Sequence, residues 1–226
     1  MNLKNKVVVI TGSSKGFGLT LAKAFLKEGA KVVVNSIDEA KIKKTAEEIG
    51  SFGIYADVTK EEELEGLLKE TIKKLGGIDI WINNAGLWMP HDFAENFDMD
   101  KVKKMFDVNV IGAMNGSRVA LRYMKEKRSG TIVNIISDCA LAPRPMSSTY
   151  CASKWAVNGF TKSIREENKD KNISILSVFP GGMKTDLFGE NKPDNFDDFM
   201  DPEDVAMKVI DNLKQENPIE ELVIQK

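Results

Sequence analysis

The sequence predicts a single α/β domain, a doubly wound parallel sheet with helices on both faces, and three observations carry that prediction. Short β-branched runs alternate with longer helical patterns along almost the whole chain, the order expected when helices cross over between parallel strands. The strand-like runs are nearly all apolar, as when both faces of a sheet are covered. A glycine cluster lies directly between the first strand and the first helix, where a sharp turn leads into a helix N-terminus with free N–H groups.

In chain order, the predicted strands are Lys6–Thr11, Lys31–Asn35, Phe52–Tyr55, Ile78–Ile82, Gly130–Ile136, Ile173–Val178 and Glu221–Ile224. The first holds Val7-Val8-Val9-Ile10, four β-branched residues in a row. The predicted helices are Gly16–Glu28, Glu39–Ile49, Glu61–Leu75, Asp100–Lys127, Tyr150–Asn168 and Pro202–Gln215. Lysines and acids are interspersed within them, as in Lys41-Ile42-Lys43-Lys44 followed by Glu47-Glu48, which reads as solvated helix surface. One connection breaks the rhythm: from Lys184 to Asp201 the chain is acidic and aromatic with little periodicity, the composition expected of an active-site lid.

The chain has 226 residues, enough for one large core, so residues 1–226 are read as one domain. With 42% apolar and 29% charged residues its composition is that of a soluble globular protein. A net charge of −2 gives no basic footprint for nucleic acid. No apolar run approaches the ~18 residues of a membrane span, so the expected location is cytoplasmic. Cys139 and Cys151 make no metal spacing and no disulfide framework, and His91, the one histidine, sits between Pro90 and Asp92 as a loop residue. No metal is expected.

Tyr150-Cys-Ala-Ser-Lys154 reads on its own either as a catalytic pair or as a chance pattern that decorates a helix face. Four residues apart on a helix, phenol and ammonium share one face. A cation ~4 Å from a phenolate at an effective dielectric of ~20 is worth about 4 kcal/mol. At ~1.36 kcal/mol per pKa unit, that would bring a phenol from ~10 towards neutrality, making it a proton donor and acceptor under cellular conditions. The glycine cluster, Thr11-Gly12-Ser13-Ser14-Lys15-Gly16-Phe17-Gly18, meets the context of a dinucleotide-binding turn, although its glycines are spaced by three residues and then one.

That spacing, Thr-Gly-x-x-x-Gly-x-Gly, resembles the short-chain dehydrogenase/reductase family, and further family features follow in order. Asp57-Val58 follows the third strand, and Asn83-Asn84-Ala85-Gly86 the fourth. Asn109 lies inside the long helix, Ser137 ends the fifth strand, Tyr150 and Lys154 follow, and Pro180-Gly181 with Thr185 comes after the sixth. The resemblance implies a Rossmann-type fold, a homo-dimer or homo-tetramer, and hydride transfer between a nicotinamide and a carbonyl or alcohol. In that scheme Tyr150 supplies the proton, Lys154 depresses its pKa and bonds the nicotinamide ribose, and Ser137 holds the substrate oxygen. Asn109 holds a water linking Lys154 to solvent. Ser137 capping a strand end and Asn109 bonding nearby backbone are the plainer alternatives.

By the same resemblance, Gly12, Ser14, Lys15, Gly16, Phe17 and Gly18 wrap the pyrophosphate, Asp57 accepts from the adenine amino group, and Val58 lies along the adenine ring. Asn84, Ala85 and Gly86 run beside the cofactor with Pro180 and Gly181, Met183 packs near the nicotinamide, and Thr185 meets its carboxamide. Asn83 is read as structural, bonding backbone between strands. NADP(H) is favoured over NAD(H). Ser36 stands where an NAD-preferring member carries the acid that bonds the ribose hydroxyls, and Lys15 offers a cation for a 2′-phosphate. Ile37 in place of an arginine, and an Asp38 able to bend back towards the ribose, argue the other way.

The substrate end reads as mostly apolar: Leu87, Trp88 and Met89, then Leu141, Pro143 and Met146, with Leu187, Phe188, Phe196 and Phe199 placed to close over it. The role of Arg144 stays open. A hydrophobic ketone, aldehyde or secondary alcohol fits best. Two rivals remain: a nucleotide-sensing protein without chemistry, which has no need of the Ser-Tyr-Lys set, and a nucleotide-sugar epimerase, which usually carries a differently spaced glycine loop and a larger C-terminal region.

Overall fold

A computed structural model describes all residues, 1–226. Seven strands make one sheet: β1 (Val7–Ile10), β2 (Lys31–Ser36), β3 (Phe52–Tyr55), β4 (Ile80–Asn83), β5 (Gly130–Ile135), β6 (Ile173–Pro180) and β7 (Glu221–Ile224). Their spatial order is β3-β2-β1-β4-β5-β6-β7, and every pairing is parallel. The helices are α1 (Gly16–Lys27), α2 (Glu39–Ile49), α3 (Glu61–Leu75), α4 (Met99–Phe106), α5 (Gly112–Lys127), α6 (Ser148–Asn168) and α7 (Pro202–Lys214).

The pleat sorts each strand between two cores. Val8 and Ile10 of β1 point to the side covered by α1, α2 and α7, where they join Leu21, Phe25, Ile42, Val209 and Ile210. Val7 and Val9 point to the other side and pack with Leu64 and Leu67 of α3, Val119 and Met124 of α5, and Ile164 of α6. Both faces are therefore dry, which is why these strands are uniformly apolar. Burying a side chain of this size is worth roughly 1.5–3 kcal/mol, so the two faces together overcome the entropy of ordering a long parallel topology.

The order in which strands are added to the sheet reverses between β1 and β4, which pair in register from Val8 with Ile80 to Ile10 with Ile82. At such a switch point the loops leaving the two strands diverge and open a crevice at their carboxyl ends. The glycine loop leaves β1 there, and Asn84-Ala85-Gly86 leaves β4.

Several boundaries differ from expectation. The predicted helix 100–127 is three pieces: α4, a π-helical turn over Asp107–Ile111, and α5. The wider turn carries Asn109, which is buried and bonded across to Leu87, and a tertiary contact of this kind leaves no periodic trace. β4 begins at Ile80 because the Asp79 carboxylate turns to accept from the Val7 N–H and the Lys6 ammonium. β6 runs on to Pro180 because β7 pairs with it through Ile224. The stretch 184–201 holds two 3₁₀ turns, Asp186–Phe188 and Phe196–Asp198, and its ends are pinned where Met183 bridges Met200.

Candidate active site

The loop after β1 folds tightly against the loop after β4. Gly12 has φ +61°, and a Cβ there would lie 2.7 Å from the Ala85 Cα. At Gly18 a Cβ would meet the Asn84 amide nitrogen at 2.4 Å. The Asn84 Nδ2 donates to the carbonyls of Thr11 (2.9 Å) and Gly12 (3.1 Å), while the Thr11 Oγ1 accepts from the N–H groups of Asn84 and Ala85. Asn84 is thus a brace for the loop. The residue capping α1, Lys15, is extended and offers no side-chain bond to the first-turn N–H groups. A helix start left uncapped in this way, facing a cleft, is a fitting seat for a pyrophosphate. Across the cleft, the Thr185 Cβ lies 3.8 Å from where a Gly16 Cβ would sit, so these residues fit a bound dinucleotide.

This cleft runs from the glycine loop to Ser137, Tyr150 and Lys154 and is also lined by Asn84, Gly86, Pro180, Gly181, Met183 and Thr185. Ser14, Ser36, Asp57, Val58 and Ala85 lie outside its lining. Val58 is buried against Gly112 rather than presented to an open surface. The Asp57 carboxylate accepts from the N–H and hydroxyl of Thr59. The Ser14 hydroxyl donates to that of Ser36. Asp38 caps α2 by accepting from the Lys41 N–H. Lys15 is exposed at the cleft mouth.

Tyr150 and Lys154 share a face of α6, with the Lys154 Nζ 5.7 Å from the centre of the Tyr150 ring. The ammonium thus lies over the ring, and the Ile135 carbonyl is its hydrogen-bond acceptor at 3.4 Å. Burial works against the expected acidification of the phenol. Burial pushes Tyr150 well above the ordinary phenol range, Cys139 and Asp138 add to the rise, and the Ser137 hydroxyl opposes it. Burial also brings Lys154 down from 10.5 to about 8. Desolvation is the leading cause of both shifts.

Asn109 makes the backbone bonds of the plainer alternative. Its Oδ1 accepts from the Leu87 N–H at 2.7 Å, and its Nδ2 donates to the Leu87 carbonyl (2.9 Å) and the Ser153 hydroxyl (3.2 Å). The side chain pins the loop after β4. Asn83 bonds side chains rather than backbone: it accepts from the Trp81 indole and donates to Ser117 and Asn134.

A second cavity shares Ser137, Tyr150, Gly181 and Phe188 with the first. Of the residues expected around substrate, Trp88 and Phe199 line it and Leu87, Leu187 and Phe188 line the main cleft. Leu141 and Met146 line neither and stay exposed, Met146 at φ +60° on the loop before α6. The wall is more polar than expected, because His91, Ser147, Asn195 and the Asp138–Arg144 ion pair take part in it. Asp138 was legible only by its place directly after Ser137. His91 packs edge-on against Trp88 with ring centres 5.5 Å apart.

Comparison with known proteins agrees with this arrangement. Residues 6–195 match the family described as short chain dehydrogenase. The 3beta-hydroxysteroid dehydrogenase 1 of Eggerthella lenta is 35% identical over 209 residues, covering 89% of this chain and 77% of that one. An uncharacterized oxidoreductase of Thermotoga maritima is 37% identical over 191 residues, covering 82% and 75%. Among solved structures, a 3-ketoacyl-(acyl-carrier-protein) reductase from Brucella melitensis complexed with NADH superposes with a TM-score of 0.91 at 29% identity, over 98% of this chain and 97% of that one. An alcohol dehydrogenase from Thermococcus sibiricus complexed with 5-hydroxy-NADP superposes at 0.88 with 25% identity, over 97% and 95%. With strand order, glycine loop and cleft all in agreement, the chain belongs to the short-chain dehydrogenase/reductase family and is an NAD(P)-dependent oxidoreductase.

Proposed function

We propose that the protein interconverts a ketone or aldehyde and its alcohol with NADP(H), using Tyr150 as the proton donor and acceptor. The observation that carries this reading is one continuous cleft from the uncapped start of α1 to the hydroxyls of Ser137 and Tyr150. A bound nicotinamide supplies or takes up the hydride. The chain's own groups handle the oxygen. Carbon–oxygen reduction builds negative charge there, and Tyr150 delivers a proton to it while Ser137 donates a hydrogen bond. The raised pKa of the phenol keeps it protonated and ready to donate. Lys154, charged below about 8, stabilises the phenolate left behind. Asn109 acts through Leu87, holding the cleft wall in place.

NADP(H) is supported by Ser36 in the acid's usual place and by the exposed Lys15 at the cleft mouth. The complexes of the Brucella and Thermococcus proteins contain cofactors of both kinds, so NAD(H) is the second reading. The chain 184–201 serves as a lid whose aromatic side packs on Trp88.

The test is reduced-nicotinamide consumption with each cofactor across a panel of uncharged aliphatic and aromatic ketones and aldehydes, repeated with charged ones. Tyr150→Phe is expected to lower kcat by roughly a hundredfold or more. Full activity in that variant overturns the mechanism. An enzyme that prefers NADH and ignores Lys15→Ala overturns the cofactor assignment.

A further inference from the structure

The Ser137 hydroxyl is engaged by its own neighbours. Its oxygen accepts from the Cys139 N–H at 3.2 Å, and its single proton goes to the Asp138 Oδ1 at 3.2 Å. Yet a serine that supports charge on a reacting oxygen must give that proton to the substrate. Asp138 is almost fully buried, its side chain 8% accessible, and a bare buried carboxylate would hold the proton strongly through a charge-assisted bond. It would also set a negative charge beside the oxygen on which reduction places another.

Arg144 answers both problems. From the loop before α6 its guanidinium bonds the other carboxylate oxygen, Asp138 Oδ2. Arg144 is the one cation paired with this carboxylate. Cys139 and Tyr150, the neighbouring titratable groups on the cavity wall, both stay protonated: burial pushes the Cys139 thiol up to about 11, and Asp138 is among the groups that raise Tyr150.

We propose that Arg144, by neutralising Asp138, releases the Ser137 proton to the substrate oxygen, so that Asp138 and Arg144 are positioning residues for the reaction. This rests on the reading of Ser137 and Tyr150 given above. In the resting site Asp138 points the serine hydroxyl and spares it a buried, unpaired proton. When a carbonyl oxygen arrives and charge builds on it, the weakened Asp138 bond yields and the hydroxyl rotates to the oxygen.

The experiment compares Arg144→Met, Arg144→Lys and the double variant Asp138→Asn/Arg144→Met, using NADPH and the uncharged carbonyl compound that wild type turns over fastest in the panel. Circular dichroism and melting checks come first. Arg144→Met is expected to lower kcat roughly tenfold or more with the KM for NADPH unchanged. Arg144→Lys keeps most of the rate, and removing the Asp138 charge in the double variant restores most of what Arg144→Met lost. A double variant as slow as Arg144→Met, or an Arg144→Met variant altered only in substrate KM, overturns the proposal; the latter makes Arg144 a direct substrate contact. Should Tyr150→Phe and Ser137→Ala both stay active, the underlying reading fails, whatever the Arg144 series shows.

Discussion

Lys154 keeps an ammonium where only 6% of the residue remains accessible, and its pKa of about 8 against 10.5 has consequences for stability as well as chemistry. Below about 8 the folded chain carries a desolvated charge, a penalty on the order of 3 kcal/mol. Between about 8 and 10.5 the unfolded chain binds a proton that the folded chain has lost, so this group makes stability rise with pH through that window. Replacing Lys154 by Met should therefore stabilise the protein at pH 7 by about 1–3 kcal/mol in urea denaturation while abolishing turnover. Activity should move the other way: kcat/KM for carbonyl reduction in wild type falls as pH rises through about 8, where the free protein loses the ammonium. The sequence paired Tyr150 with Lys154 by helix spacing, and added Ser137 through its family resemblance. It could not give the sign of the Tyr150 shift, because helix spacing specifies proximity but not how much water the fold removes.

Within single elements, the glycine loop and the 184–201 connection lend themselves to separate tests. Gly18→Ala would drive a Cβ to 2.4 Å from the Asn84 amide and 2.6 Å from the Gly12 carbonyl. An overpacked turn of this kind costs about 1–3 kcal/mol, so a lower melting temperature together with lost dinucleotide binding in a fluorescence titration is expected. In the connection, Phe188, Phe196 and Phe199 form a mutual cluster with ring centres 5.5–5.8 Å apart, and Phe188 also packs edge-on at 5.0 Å against Trp88. Phe196→Ala removes two of these ring contacts without touching the cleft lining. It should raise the KM for the carbonyl compound several-fold while leaving the KM for NADPH alone; equal changes in both would show that 184–201 is not a substrate lid. The helices and strands were readable because each has its own period. The π-helical turn at Asp107–Ile111 was not, since Val108-Asn109-Val110 continues the helical pattern and only the reach of Asn109 to Leu87 explains the wider turn.

Across the whole molecule, a buried polar chain ties the sheet to its helices. The Trp81 indole donates to Asn83, Asn83 donates to Ser117 of α5 and to Asn134 of β5, and Asn134 donates to Thr161 of α6. These groups sit beneath the switch point, so they hold the β4 and β5 ends that carry Asn84 and Ser137. Asn83→Ala would leave the Trp81 N–H and the Asn134 Oδ1 buried without their partners, at about 1–3 kcal/mol each. A clear drop in the denaturation midpoint is expected, accompanied by weaker cofactor binding as the switch-point loops loosen. An unchanged midpoint would mean that solvent or neighbouring groups satisfy both atoms. No helix is long and apolar enough to cross a membrane.

Local spacing was enough to determine the doubly wound architecture and to place the glycine turn, because a parallel sheet buried on both faces and a tight turn between strand and helix each impose residue types at short range; Ser137 was joined to Tyr150 and Lys154 only through the family resemblance. What folding alone decided were the relations between distant segments: Asn84 bracing the glycine loop, Asn109 pinning Leu87, and Leu141 and Met146 turned to solvent. The pairing of Asp138 with Arg144 beside Ser137 belongs with these. Such contacts depend on where separate loops meet and on how much solvent they exclude, and both are properties of the packed chain rather than of any stretch of it.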